Sequence, residues 1–210
     1  MYTRVKICGI TNLQDALLAI DAGADSLGFN MYHASPRFIS AELAAEIMDQ
    51  MPPFVTTVGL FVNEEADQIR KLCQDVSFDL LQFHGDENDE FCQQFNRPFL
   101  KAIRVNKIAD IVVQVEAYPS AKGILVDTLV KGKYGGTGAA LNWDNVPKVS
   151  KPIILAGGLI PENVSMAISK VRPYSVDVSS GVESSAGIKD KNKIELFMNA
   201  VKATNIEVGN

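Results

Sequence analysis

Eight short apolar or β-branched runs recur along the chain, each followed by a stretch with helical patterning. This alternation limits the possible folds more than any other feature. The runs are Arg4–Cys8, Ser26–Phe29, Thr56–Val62, Leu80–Phe83, Phe99–Arg104, Gly123–Asp127, Pro152–Ala156 and Ser175–Val178. Several are near-continuously apolar, as parallel strands covered on both faces are. The intervals between them carry helix signals. Thr11 and Gln14 stand at capping-box spacing and Gly23 at a C-terminal stop. Ser40 is a good N-cap for a helix that ends before Pro52 and Pro53. Further helices are expected over Glu64–Cys73, Asn88–Gln94, Ile108–Val115, Glu162–Lys170 and Asp190–Val201.

The interval between Asp127 and Pro152 breaks the rhythm. It reads TLVKGKYGGTGAALNWDNV and then PKVSK, rich in glycine, with room for one short helix around Trp143. A long glycine-rich connection in a compact domain is usually functional, and a mobile lid is expected here. No repeat, linker or low-complexity tract divides the chain. Its 210 residues fit one domain, a single-domain α/β protein of the (β/α)8 TIM-barrel type over residues 1–210. A doubly wound open sheet is the alternative, because periodicity does not prove closure. The barrel is favoured by where the unusual residues fall. Cys8, Asp127, Gly157, Gly158 and Ser179 to Gly181 lie at or just past the C-terminal ends of their strands, which in a barrel converge on one face.

Composition narrows the function. A hydrophobic fraction of 47% with 21% charged residues supports a large core. The net charge of −5, with no basic stripe, argues against nucleic acid, though not against an anionic small molecule held by local donors. The N-terminal MYTRVKICGI has no long apolar run, so neither a signal peptide nor a membrane span is expected. The cysteines Cys8, Cys73 and Cys92 are odd in number and far apart, which suits a reducing cytoplasm rather than a disulfide framework. With His33 and His84 the only histidines, no metal site is expected. Cys73 and Cys92 read as packing residues within helices.

Chemistry concentrates in a few places. AGGLIPENV sets Gly157 and Gly158 between a strand and a helix that Pro161 can open. VDVSSGVE sets Ser179, Ser180 and Gly181 after the eighth strand. Glycine turns let backbone amides approach a ligand, and loops after strands seven and eight are the usual phosphate site of a barrel, although each is also an ordinary tight turn. Asp127 closes an apolar run under the expected lid, where a carboxyl is suited to giving a proton or serves as a loop residue. Cys8 is a core thiol on spacing alone, or a base if neighbours favour its thiolate. Lys6 shares its strand parity and is a candidate neighbour. Arg37 is a candidate carboxylate clamp. Gln82 and His84 alternate with Leu81 and Phe83 and point toward the barrel mouth, and Asp177, between two valines, needs a partner or ligand. Tyr32 and His33 read as loop surface.

KICGIT, GFNMYHASPRFIS, VGLFVN, QFHGDE, ILVDT, GGTG, ILAGGLIPENV and VDVSSGVESSAGIKD occur in the order found in the phosphoribosylanthranilate isomerase family of tryptophan biosynthesis, and the chain resembles that family from Lys6 to Asp190. The resemblance implies a (β/α)8 barrel that converts N-(5′-phosphoribosyl)anthranilate to the 1-deoxyribulose 5-phosphate derivative, an Amadori rearrangement with no cofactor and no metal. It implies Cys8 as general base and Asp127 as general acid. Arg37 would clamp the anthranilate carboxylate, and Gly157, Gly158, Ser179, Ser180 and Gly181 would cradle the phosphate. Asp177 would help position the sugar, with His84 a further neighbour of the substrate. The partner is thus a phosphorylated small molecule, not nucleic acid or membrane, and the enzyme a cytoplasmic monomer or homodimer. One departure stands out: after GGTG the family commonly reads a basic or hydroxyl residue and then F-D-W, whereas AALNW puts Leu141 and Asn142 in place of the aromatic residue and the carboxylate.

Three alternatives remain at this point. The sister isomerase of histidine biosynthesis carries an aspartate where Cys8 stands and phosphate motifs in both halves, and LLQFHGDEND offers no second glycine pair. A Schiff-base aldolase needs a lysine deep in the sixth strand, which GILVD lacks. A non-catalytic phosphosugar-binding barrel would have no need of Cys8 opposite Asp127.

Overall fold

The computed structural model describes residues 2–105, 110–128, 143 and 146–209. Eight parallel strands close into a barrel in chain order: β1 (Arg4–Cys8), β2 (Ser26–Asn30), β3 (Thr56–Phe61), β4 (Leu80–Phe83), β5 (Phe99–Val105), β6 (Gly123–Thr128), β7 (Ile153–Leu155) and β8 (Ser175–Val178). The last strand pairs with the first through Arg4 and Ser175, Val5 and Val176, Lys6 and Asp177, and Ile7 and Val178. That pairing rules out the open sheet.

Helices α1 (Leu13–Ala22), α2 (Ala41–Asp49), α3 (Ala66–Asp75), α4 (Asp89–Gln93), α5 (Asp110–Glu116), α6 (Val164–Val171) and α7 (Lys191–Gly209) are set between and after the strands. The expected helices are all present, with shifted ends. The N-cap of α1 is Asn12, not Thr11: its side chain accepts from the Asp15 amide at 2.9 Å, while the Thr11 hydroxyl donates to the Gly187 carbonyl. Gly23 ends α1 at φ 100°, a left-handed conformation that glycine adopts without strain. Ser40 and Asn88 cap α2 and α4 as their residue types suggest. A turn precedes α6 because Asn163 is engaged elsewhere, donating to the Gly158 carbonyl and accepting from the Ile160 amide. The lid sequence from residue 129 to 142, including the GGTG run, Leu141 and Asn142, lies outside the described residues, as do 108 and 109 at the expected start of α5.

Strand parity divides the core. Outward side chains such as Ile7, Leu27, Phe83, Val126 and Val178 belong to one large cluster shared with the helices. Within it the Phe83 ring lies 5.7 to 6.2 Å from those of Phe61, Phe91, Phe95 and Phe99. Each such buried side chain contributes roughly 1.5–3 kcal/mol. Inward residues of β5, β6 and β7, with Ala156 just past the end of β7, form a small apolar cluster of Leu100, Ala102, Leu125, Ile154 and Ala156. Inward positions on the flanking strands β4, β8 and β1 include polar side chains, with Gln82, Asp177 and Lys6 all buried. A short antiparallel hairpin absent from the sequence expectations follows β8: β9 (Glu183–Ser185) pairs with β10 (Ile188–Lys189). It folds back toward the N-terminal end of α1.

Candidate active site

The C-terminal ends of the strands open on a cavity of about 540 Å³. All the residues singled out for the site line it: Cys8, Arg37, His84, Asp127, Gly157, Gly158, Asp177, Ser179, Ser180 and Gly181. They come from six different strand ends, so closure of the barrel, rather than sequence proximity, brings them together.

Cys8 ends β1 with its side chain on the inner face, 6% exposed, beside Leu60, Val62 and Tyr32. Burial pushes its thiol above the ordinary value; the Lys6 ammonium pulls it back, Asp177 adds to the rise, and Lys189 lowers it. Beneath it Lys6 and Asp177 form a buried ion pair of 2.9 Å, the partner that the buried aspartate required. Burial disfavours the Lys6 charge, yet Asp177 and Cys8 outweigh that, and its basicity is raised.

The Arg37 side chain reaches the cavity through the space above Gly9. Gly9 has φ +80°, and a β-carbon there would lie 2.7 Å from Arg37 Cδ. Arg37 does hold a carboxylate bidentately, but an internal one: its Nε and Nη2 donate to Glu183 Oε1 and Oε2 at 2.8 and 2.7 Å. A guanidinium has five N–H donors, so this grip leaves others to face the cavity. Glu183 also accepts from Lys189 Nζ at 2.9 Å, and that ammonium donates to the Cys8 carbonyl at 2.6 Å and the Ser179 carbonyl at 3.4 Å. Lys189 is thereby the rivet between the hairpin and the end of β1. Burial lowers its basicity, with Glu183 opposing.

Across the cavity, His84 Nε2 stands 3.3 Å from Asp127 Oδ2, close but poorly aligned for a hydrogen bond. Its other nitrogen, Nδ1, lies 3.2 Å from Gln82 Nε2. As the alternation within β4 suggests, both side chains point inward.

The end of the cavity at β7 and β8 is made of glycine turns. Gly157 and Gly158 have φ of 83° and 66°, left-handed values that set the turn after β7. A β-carbon on Gly181 would fall 1.9 Å from the Leu159 carbonyl oxygen, so only glycine lets the turns after β7 and β8 meet. Ser179 and Ser180 flank this contact as a 3-10 turn begins at Ser180.

Two expectations need correction or addition. Tyr32, read as loop surface, is half-buried and lines the cavity against the cluster of Cys8, Leu60 and Val62, because the loop after β2 folds inward over the mouth. His33 is exposed, its ring tilted against that of Phe38 with centroids 4.1 Å apart. Sequence reading missed Glu183 and Lys189 altogether. The one available signal was a charge at the end of SSGVE and another six residues on, and nothing tied either to Arg37.

The model of the family described as N-(5′phosphoribosyl)anthranilate (PRA) isomerase matches residues 5–200. The chain belongs to that family. It is 54% identical over 200 residues to the N-(5′-phosphoribosyl)anthranilate isomerase of Pseudomonas fluorescens (strain Pf0-1), covering 95% of this chain and 98% of that one. Its fold is similar to the crystal structure of phosphoribosyl anthranilate isomerase from Thermotoga maritima, with a TM-score of 0.86, 40% identity and coverage of 96% and 99%. A crystal structure of a phosphoribosyl anthranilate isomerase in complex with reduced 1-(o-carboxyphenylamino)-1-deoxyribulose 5-phosphate is similar at a TM-score of 0.83, with 39% identity and coverage of 96% and 99%. The activity is accordingly that of a PRA isomerase, an aldose–ketose isomerase of tryptophan biosynthesis. The histidine-pathway, aldolase and binding-protein alternatives fall away.

Proposed function

We propose that this chain carries out the Amadori rearrangement of N-(5′-phosphoribosyl)anthranilate with Asp127 as general acid and Cys8 as general base. The reading is carried by one observation: a thiol and a carboxyl from β1 and β6 line the same cavity that the glycine turns after β7 and β8 close at its other end. The solved relative in complex with a reduced product analogue supports a phosphorylated occupant of that shape. The phosphate sits on the backbone of Gly157, Gly158 and Ser179 to Gly181, and Arg37 turns its remaining N–H groups to the anthranilate carboxylate. Asp177 faces the sugar hydroxyls, and His84 stands next to the acid.

Asp127 gives its proton to the furanose ring oxygen as the C1′–O bond breaks, and the anilino nitrogen supplies the electron pair that makes the Schiff base. Cys8 then removes the C2′ proton as thiolate, and the enolamine tautomerises to the ketone. No step needs a redox partner, since the C1′ carbon is reduced as C2′ is oxidised. The protein works in the cytoplasm, where free Cys8, Cys73 and Cys92 persist. It acts as a monomer or homodimer, which sedimentation will distinguish.

The test is the loss of substrate fluorescence in wild type, Cys8→Ala and Asp127→Asn. Each variant is expected to lose ~10²-fold or more in kcat, the scale of a positioned acid or base. Near-normal turnover in Cys8→Ala would remove the base from the scheme.

A further inference from the structure

A thiol buried at the end of a strand is a poor base. Its ordinary pKa is ~8.5 and removal from water disfavours the thiolate further. If Cys8 is the base of the reaction above, something nearby must favour its charged form.

Three cations stand near it, from three elements: Lys6 on β1, Lys189 on β10 and Arg37 after β2. The nearby anion is Asp177 on β8, and Asp127 and His84 line the cavity opposite. Two of the cations are already committed. Lys189 Nζ holds Glu183 and the carbonyls of Cys8 and Ser179, which use its three protons. Arg37 holds Glu183 with two parallel bonds. Lys6 differs. Its ammonium donates to Asp177 Oδ1 at 2.9 Å, has the Cys8 sulfur as a second neighbour within hydrogen-bonding reach, and is 2% exposed. Unlike the other two, it holds no backbone carbonyl and no second carboxylate among the described residues.

The glycine beside it shows where the ammonium points. Cys8 is in register with Gly28 on β2, one pleat above the pairing of Lys6 with Ser26. A β-carbon on Gly28 would lie 2.7 Å from Cys8 Sγ and 3.0 Å from Lys6 Nζ. Sulfur and ammonium therefore converge on the one spot in β2 that has no side chain. Any larger residue would wedge them apart.

We propose that Lys6 is a positioning residue of the isomerase reaction, its ammonium held between Asp177 and the Cys8 sulfur as the counter-ion that keeps the base a thiolate. Lys6 stays protonated throughout. When the thiolate takes the C2′ proton and becomes S–H, the ammonium retains Asp177, so the site never holds an uncompensated cation. This explains why the lysine two residues before the thiol is buried rather than solvated, and why β2 carries a glycine at Gly28. The inference rests on Cys8 being the base, and the experiment separates the two.

Thiolate absorbance near 240 nm and kcat/KM are followed against pH in wild type, Lys6→Met, Lys6→Met/Asp177→Asn and Gly28→Ala, with the Cys8→Ala trace subtracted to remove Cys73 and Cys92. In Lys6→Met the titration of Cys8 is expected to move to higher pH by a unit or more. Activity near neutral pH should fall by ~10-fold or more per unit and recover in base, because each unit is a tenfold change in thiolate fraction. The double variant leaves no carboxylate buried alone and so guards against misfolding of the single variant; because Asp177 itself raises the thiol, its upward shift is expected to be smaller than that of Lys6→Met but in the same direction. Gly28→Ala should move the titration the same way with both charges kept. A uniform loss of activity at every pH with the Cys8 titration unmoved would make Lys6 merely structural and overturn the proposal, while leaving Cys8 as base. An active Cys8→Ala would overturn the base itself.

Discussion

Two buried carboxylates, Glu183 and Glu87, organise the mouth of the barrel with the same chemistry and different consequences. Glu183 grips Arg37 and Lys189, and through them touches the cavity wall and the Cys8 carbonyl. Glu87 accepts from the Asn63 amide at 2.7 Å, the Gly85 amide at 2.9 Å and Lys101 Nζ at 2.8 Å, which binds the ends of β3, β4 and β5 together. Arg37 lines the cavity; Glu87 and Lys101 do not. A carboxylate hub that includes a cavity-lining cation couples stability to the shape and charge of the cavity. One whose partners are all framework stabilises only the frame.

The comparison is sharpest in Glu183→Gln. Arg37 loses one of two charge-assisted bonds, and Lys189, whose side chain is 0% exposed, loses the one carboxylate it pairs with among the described residues. Breaking such a buried pair costs about 3–5 kcal/mol, and the Arg37 end, still 15% exposed, lies toward the lower figure. In assays on folded protein, KM is expected to rise by ~10-fold or more with a smaller change in kcat, since the clamp binds ground state and transition state alike. An unchanged KM would mean that Arg37 needs no help to face the substrate, and the two hubs would then be equivalent.

The sequence shows the strand–helix rhythm, the glycine turns and the chemical residues clearly, because each is a local pattern. Gly157, Gly158 and Gly181 are legible as turn residues before any coordinates, and Cys8 and Asp127 as strand-end groups. The hubs are not local. Arg37 and Glu183 are 146 positions apart, and only closure of β8 on β1 brings their loops together. Thr11 illustrates a smaller failure of the same kind. Its spacing to Gln14 suits a capping box, but the hairpin after β8 offers the Gly187 carbonyl to its hydroxyl, and Asn12 takes the cap. Tyr32 was misread because a loop's polarity says nothing about which way it folds.

A second, milder difference concerns acid. Burial pushes the Glu183 carboxyl upward, but hydrogen bonds from Arg37 and the charge of Lys189 outweigh it, so its pKa in the fold is below the ordinary value. A carboxyl lowered by folding stabilises the native state above its unfolded pKa of ~4.3, and that contribution disappears as pH falls through the folded value. Urea midpoints of the wild type should therefore fall more steeply, as pH drops below the unfolded value of ~4.3, than those of Glu183→Gln, which has no carboxyl to protonate. Parallel curves would show that Glu183 does not feel its partners.

Glu87→Gln is expected to change catalysis least. The substitution places an amide against three N–H donors, two from backbone and one from Lys101, and Gln has a single oxygen with which to accept them. One donor is left facing an NH2 group in a site where both side chains are 3% exposed. A loss of about 3 kcal/mol in stability follows from breaking that pair. Lys101 keeps the Gly85 carbonyl at 2.7 Å and Tyr118 keeps the Glu87 carbonyl at 3.0 Å, so the loop after His84 retains two of its ties. Turnover per folded molecule, measured well below the melting transition, should stay within ~3-fold of wild type, while thermal unfolding shifts down by several degrees. A large loss of kcat with little change in stability would reverse the assignment. It would mean that the β4 loop, through the contact of His84 with Asp127, is a working part of the site rather than its frame.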